Sequence, residues 1–209
     1  MIPNYNLADI EQLKTFLSIP RRLVVTTHYK PDGDAMGSSL ALGAYLEVAG
    51  HSVSVVAPSD YPDFLHWMPG QHMVVSFDKD PSQCKQAIMD AEGVFCLDFN
   101  KPYRVEKLES PLLESPAMKI LVDHHLDPDP FCDITFSFPE SCATSELVYH
   151  LICHLGGEHS FNSSMATCLY TGIMTDTGSF RFSSMTADTH RIIAHLMSCG
   201  AVNHEIHEE

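Results

Sequence analysis

Short apolar runs that stop abruptly at acidic and histidine residues restrict how this chain folds more than any other feature. Leu23-Val-Val-Thr-Thr27 runs into His28, Gly93-Val-Phe-Cys-Leu97 into Asp98, and Met118-Lys-Ile-Leu-Val122 into Asp123-His124-His125. Runs with so little polar alternation read as strands buried on both faces, as in a parallel sheet sandwiched between helices. The segments between them agree. Leu7, Ile10, Leu13 and Leu17 lie near helical spacing, residues 35–49 form a helix stopped by Gly50, and residues 81–90 carry proline in a first helical turn. Residues 145–155, 163–174 and 187–199 are further helices, and 52–56, 72–75 and 134–136 further strands. Residues 103–108 read as a helix, with Pro111 and Pro116 as breakers beyond its end. The expected fold is α/β, a Rossmann-like, mostly parallel sheet with helices on both faces.

At 209 residues and 23.2 kDa the chain suits one domain with its own core. No run approaches the roughly 18 apolar residues of a membrane span, and the first residues lack the basic start and apolar stretch of a secretion signal. A cytoplasmic protein with no membrane partner is expected. The seven cysteines are scattered without paired metal or redox spacing, so they read as reduced, buried small hydrophobes. A formal charge of −15 argues against gripping a long nucleic acid through a basic surface.

Part of that negative excess has a use. In His28-Tyr-Lys-Pro-Asp32-Gly-Asp34, Pro31 and Gly33 shape a turn that can aim both carboxylates inward; the alternative is a polar loop with Asp34 capping the next helix. Asp98 alone says little. Adjacent histidines at a buried strand end are unusual, although Asp123-His124-His125 could also be a salt-bridged surface cluster. Asp176 lies in Thr-Asp-Thr-Gly-Ser, which could be a helix-terminal turn. Parallel strands would bring the first three groups to one sheet edge, outside the carboxyl ends where ligands bind in open α/β sheets. Together they supply imidazole and carboxylate ligands in the number two divalent metals need, which points to phosphoester hydrolysis. Arg181 could contact a substrate phosphate or be a surface arginine. Ser38 and Ser39 read as helix packing, His150 and His154 as a helical pair without a carboxylate cluster, and His204 and His207 as part of a solvated polar tail.

His-x-x-Pro-Asp-Gly-Asp-Ala-x-Gly-Ser, the lone Asp98, Asp-His-His and Thr-Asp-Thr-Gly-Ser-Phe-Arg resemble, in order, the motifs of the DHH phosphoesterase family. The likeness is strongest to its branch of small oligoribonucleases and pAp (3′-phosphoadenosine 5′-phosphate) phosphatases. This resemblance implies one metal on His28, Asp32 and Asp98, and a second on Asp34, Asp98, His124 and Asp176, with Asp98 bridging. It implies that Asp123 orients a ligand histidine and that His125 faces the substrate phosphate, with Arg181 as a further contact. Mixed imidazole and carboxylate ligands favour two Mn²⁺ ions, with Mg²⁺ or Co²⁺ as substitutes. The implied substrates are very short oligoribonucleotides or pAp. Manganese-dependent inorganic pyrophosphatase, cyclic or linear dinucleotide phosphodiesterase and a non-catalytic domain of the same fold are the alternatives. Members of this branch continue into a DHH-associated C-terminal domain that grips the nucleotide, and nothing in this sequence matches it. Residues 1–200 are therefore expected to be the catalytic domain and 201–209 the start of a linker, with weak or no hydrolysis by this chain alone. A homodimer is compatible with the resemblance.

Overall fold

A computed structural model describes residues 3–209. The apolar runs become strands β1 (Arg22–Thr26), β2 (Ser52–Ala57), β3 (Val74–Ser76), β4 (Gly93–Leu97), β5 (Met118–Asp123) and β6 (Ile134–Ser137). They form a single sheet in the order β3-β2-β1-β4-β5-β6, and every neighbouring pair is parallel. The helices are α1 (Leu7–Phe16), α2 (Gly33–Val48), α3 (Pro81–Asp90), α4 (Glu109–Glu114), α5 (Thr144–His154), α6 (Ser163–Asp176), α7 (Ala187–Ser198) and α8 (Asn203–Glu208). Side chains alternate across the sheet. Val25, Phe95 and Ile120 enter a large core shared with α1, α2, α5, α6 and α7, while Val24, Val94 and Leu121 enter a smaller one with α3 and α4. Both faces are thus covered, which explains strands without a polar side.

The sheet reverses its direction of growth between β1 and β4. From β1 the chain builds outward through β2 and β3, then returns to place β4 on the other side of β1. Crossovers leaving in opposite directions open a crevice above that pair of strands. Register sets what lines it. Thr26 pairs with Cys96 and Leu97 with Val122, so His28, Asp98 and Asp123 emerge side by side at one level.

α2 begins one turn beyond His28. Asp32 is its N-cap, its carboxylate accepting from the N–H groups of Asp34 and Ala35 at 3.0 Å each. The capping alternative raised for Asp34 is therefore corrected: Asp32 caps, and Asp34 is turned into the interior. Ser38 and Ser39 are buried in the same helix. α2 lies close against α6, because a Cβ on Gly37 would meet the Cys168 carbonyl oxygen at 2.5 Å and the Gly172 backbone at 3.0 Å.

Three local readings also change. Pro102–Leu108 is a pair of 3₁₀ turns joined by a kink at Glu106 (φ 51°) and leading into α4, and Pro111 sits in the first turn of α4, where no intrahelical N–H is needed, so it does not break the chain there. β3 starts at Val74 because residues 71–73 form a 3₁₀ turn. In the C-terminal tail His204 and His207 are exposed as expected, but the tail is helical: α8 buries Ile206, and His207 lies edge-on to Tyr170 and Phe180 with ring centroids 6.1 and 6.2 Å away. His150 and His154 make no ligand pair. The Nε2 of His150 is buried, and His154 meets the Tyr5 ring edge-on at 4.9 Å. All seven cysteines are unbridged. Among the described residues no helix is long and apolar enough to cross a membrane.

Candidate metal centre

Asp98 is the hub of the crevice. It follows β4 directly, in a left-handed conformation (φ 63°) fixed by its N–H donating to the Val122 carbonyl at 3.1 Å. Its buried carboxylate lies 3.5 Å from His28 Nε2, 3.5 Å from His124 Nε2 and 3.8 Å from His125 Nδ1. It also accepts from Thr144 Oγ1 at 3.0 Å.

The surrounding residues arrive from separate elements. His28, with Nδ1 on the Tyr29 carbonyl at 2.9 Å, points Nε2 at Asp98 and at Asp32, 3.8 Å away. His124, with Nδ1 on the Ser141 carbonyl at 3.3 Å, points Nε2 at Asp98 and at Asp176, 3.6 Å away. Asp176 is the last residue of α6. Asp34, 1% exposed, accepts from the backbone N–H groups of Thr144 at 2.6 Å and Ser145 at 2.8 Å. Those donors open α5, whose N-cap residue, Ala143, has no capping side chain, so Asp34 caps that helix across the core. Asp123 holds His125 and not His124: Oδ2 accepts from the His125 N–H at 3.0 Å and Oδ1 meets Nδ1 at 2.7 Å. Asp123 therefore orients His125, the histidine expected to face substrate, and not His124, the expected ligand. Arg181 is exposed, and its Nε donates to the Gly178 carbonyl at 2.6 Å.

Three groups of potential ligands result, each with its atoms within 4.8 Å of one another: His28, Asp32 and Asp98; Asp34, His124 and Asp176; and Asp98, His124 and His125. The closest imidazole–carboxylate approaches to Asp98 and Asp176, 3.5–3.8 Å, are longer than hydrogen bonds. Among the described residues no lysine or arginine pairs with Asp32, Asp34, Asp98 or Asp176. The electrostatics carry the same imbalance. Burial, then the charge of Asp98, pushes the Asp34 carboxyl well above the usual range. Burial likewise raises Asp176. For His28 and His124, burial alone would favour the neutral ring, yet the facing carboxylates raise both above the ordinary value. Burial would raise Asp98 too, but His28, His124 and His125 hold it low. The groups whose proton affinity is raised thus gather where stronger positive charge would fit, and oxygen and imidazole donors suit a transition-series dication. The residues present fit the binding of a divalent metal.

Ser141, Thr144 and Ser145 support this cluster without having been singled out in the sequence. The available signal was local: hydroxyl residues opening a helix with Glu146 in its first turn.

Fold and site together define an open parallel α/β protein with an acidic–histidine cluster at the sheet's reversal point. The chain belongs to the DHH family: the model of its N-terminal domain matches residues 22–173, a stretch that holds every cluster residue except Asp176. It is 33% identical over 178 residues to the bifunctional oligoribonuclease and PAP phosphatase NrnA of Thermus thermophilus, covering 85% of this chain and 50% of that protein. Its structure is similar to the crystal structure of an exopolyphosphatase-related protein from Bacteroides fragilis, with a TM-score of 0.94 and 39% identity over 96% of this chain and 59% of the other. A putative family II inorganic pyrophosphatase from Methanococcus jannaschii shares the fold at 15% identity, TM-score 0.58, over 85% of this chain and 56% of the other. The chain spans about half the length of the curated relatives it matches.

Proposed function

We propose that this chain forms the metal-binding half of a two-metal phosphoesterase that cleaves very short oligoribonucleotides or removes phosphate from pAp. One observation carries the reading: Asp98 faces His28 on one side and His124 on the other, so a single buried carboxylate serves two adjoining ligand groups. His28, Asp32 and Asp98 would hold one cation and Asp34, Asp98, His124 and Asp176 the other. Two such cations, Mn²⁺ best matching the donors, supply Lewis acidity that lowers the pKa of water and neutralises phosphoryl oxygens.

The chain's own residues set the rest. Asp123 fixes the ring of His125 through Nδ1, which leaves Nε2 on a ring 35% exposed at the mouth of the crevice, able to contact a phosphate oxygen. Thr144 and the opening turn of α5 keep Asp34 and Asp98 from swinging toward solvent. The NrnA relative supports the substrate class. Base and ribose recognition would come from a further domain of the kind that fills the rest of such relatives' length.

The test offers Mn²⁺-loaded protein pAp, a 5′-phosphorylated dinucleotide, a cyclic dinucleotide and pyrophosphate side by side. Turnover of pAp or the linear dinucleotide is expected, weak for this chain alone and strong once the C-terminal half is joined; exclusive turnover of pyrophosphate would overturn the assignment. Asp98→Ala should abolish binding of both Mn²⁺ ions by calorimetry. Retention of one ion together with activity would refute the bridging role.

A further inference from the structure

We infer that Glu146, which lies outside the ligand groups, is a positioning residue that presents His124, Asp34 and Asp98 to the metals; the inference rests on the two-metal reading. Glu146 is the third residue of α5 and is 2% exposed. A buried carboxylate is costly unless its oxygens are satisfied. This one accepts three hydrogen bonds: from Ser141 Oγ at 2.6 Å, the Cys142 N–H at 3.0 Å and Thr189 Oγ1 at 2.9 Å. None of these donors is a cation, so charge pairing does not account for its placement.

What it holds does. The stretch 141–145 touches three candidate ligands rooted in other elements. The Ser141 carbonyl takes the Nδ1 side of His124, Thr144 Oγ1 donates to Asp98, and the N–H groups of Thr144 and Ser145 hold Asp34. A carbonyl acceptor at Nδ1 fixes the tautomer that leaves the Nε2 lone pair free, the state a metal-ligating histidine requires. Glu146 ties down the start of that stretch through Ser141 and Cys142. Its other oxygen is anchored on Thr189, itself locked with Thr186 in the capping box of α7. The rigid start of α7 is thereby connected, through one carboxylate, to the ring orientation of His124.

The test compares Glu146→Ala with Glu146→Gln. Gln keeps an acceptor for Ser141 and Cys142 and can donate to Thr189; Ala keeps neither. The first readout is the tautomer of His124 in the metal-free protein, from long-range ¹H–¹⁵N NMR at alkaline pH. The second is Mn²⁺ affinity by calorimetry. The wild type should show the Nδ1–H form, and Glu146→Ala should mix tautomers. Glu146→Ala should also weaken the Asp34, Asp98, His124 and Asp176 site by roughly 10–100-fold and the His28 site, which shares only Asp98, by less, and Gln should restore most of the loss. Ser141→Ala and Thr189→Val each remove one donor with little change in volume and should weaken the same site several-fold, which keeps the test alive should Glu146→Ala not fold. Folded variants with wild-type tautomer and both affinities intact, whatever their melting temperature, would overturn the inference. Failure of the wild type to bind Mn²⁺ would sink the two-metal reading instead, and the tautomer would still decide what Glu146 positions.

Discussion

At the scale of residues, the site depends on side chains held in protonation states that cations would reverse. His28 and His124 are raised above the ordinary histidine value of 6.5, and Asp34 lies well above 3.8. In the metal-free protein these raised values add stability on the acid side that is lost as pH climbs through them. For metal binding the sign is reversed. Each ligand must give up its proton, so Mn²⁺ affinity should fall as pH drops through the raised histidine values and recover above them. Calorimetry near neutral pH in two buffers of different protonation enthalpy should register net proton release; none would contradict the raised values. Residue identities were legible in the sequence because ligand chemistry admits few side chains. Their assignments were less so. Which of Asp32 and Asp34 caps α2, and which histidine Asp123 holds, depend on side-chain direction after a turn, and no periodicity reports that.

At the scale of elements, glycines set the spacing of the two helices that carry Asp34 and Asp176. A Cβ on Gly33 would meet Thr175 Oγ1 at 2.3 Å, and one on Gly172 would meet Ser145 Oγ at 2.0 Å and Asp34 Oδ1 at 3.0 Å. Gly37→Ala should therefore push α2 from α6. We expect a loss of about 1–3 kcal/mol from overpacking, read as a melting temperature lower by about 2–4 °C per kcal/mol, together with weaker Mn²⁺ binding at Asp34 and Asp176. A variant as stable and as metal-competent as the wild type would show that the contact yields. Most strands and long helices could be read from apolar runs and capping signals, since burial on both faces leaves a continuous pattern. α4 and α8 could not. Each is only six residues long, and its existence depends on Leu112 or Ile206 finding the core, a tertiary fact.

At the scale of the whole molecule, the proposed ligands span residues 28–176; the His28, Asp32 and Asp98 group cannot close until β1 and β4 lie side by side, and the other two groups also join residues from separate elements. Strand neighbours that are remote in sequence pair late and slowly. Mn²⁺ should consequently slow unfolding while leaving the refolding rate nearly unchanged, as expected for contacts absent from the transition state. Stopped-flow kinetics with and without Mn²⁺ would show this; faster refolding would mean that the site forms early. The reversal of the sheet at β1 and β4 therefore does more than open a crevice. It would make metal capture a report on the finished topology, with cations locking the molecule once assembled and not guiding its assembly.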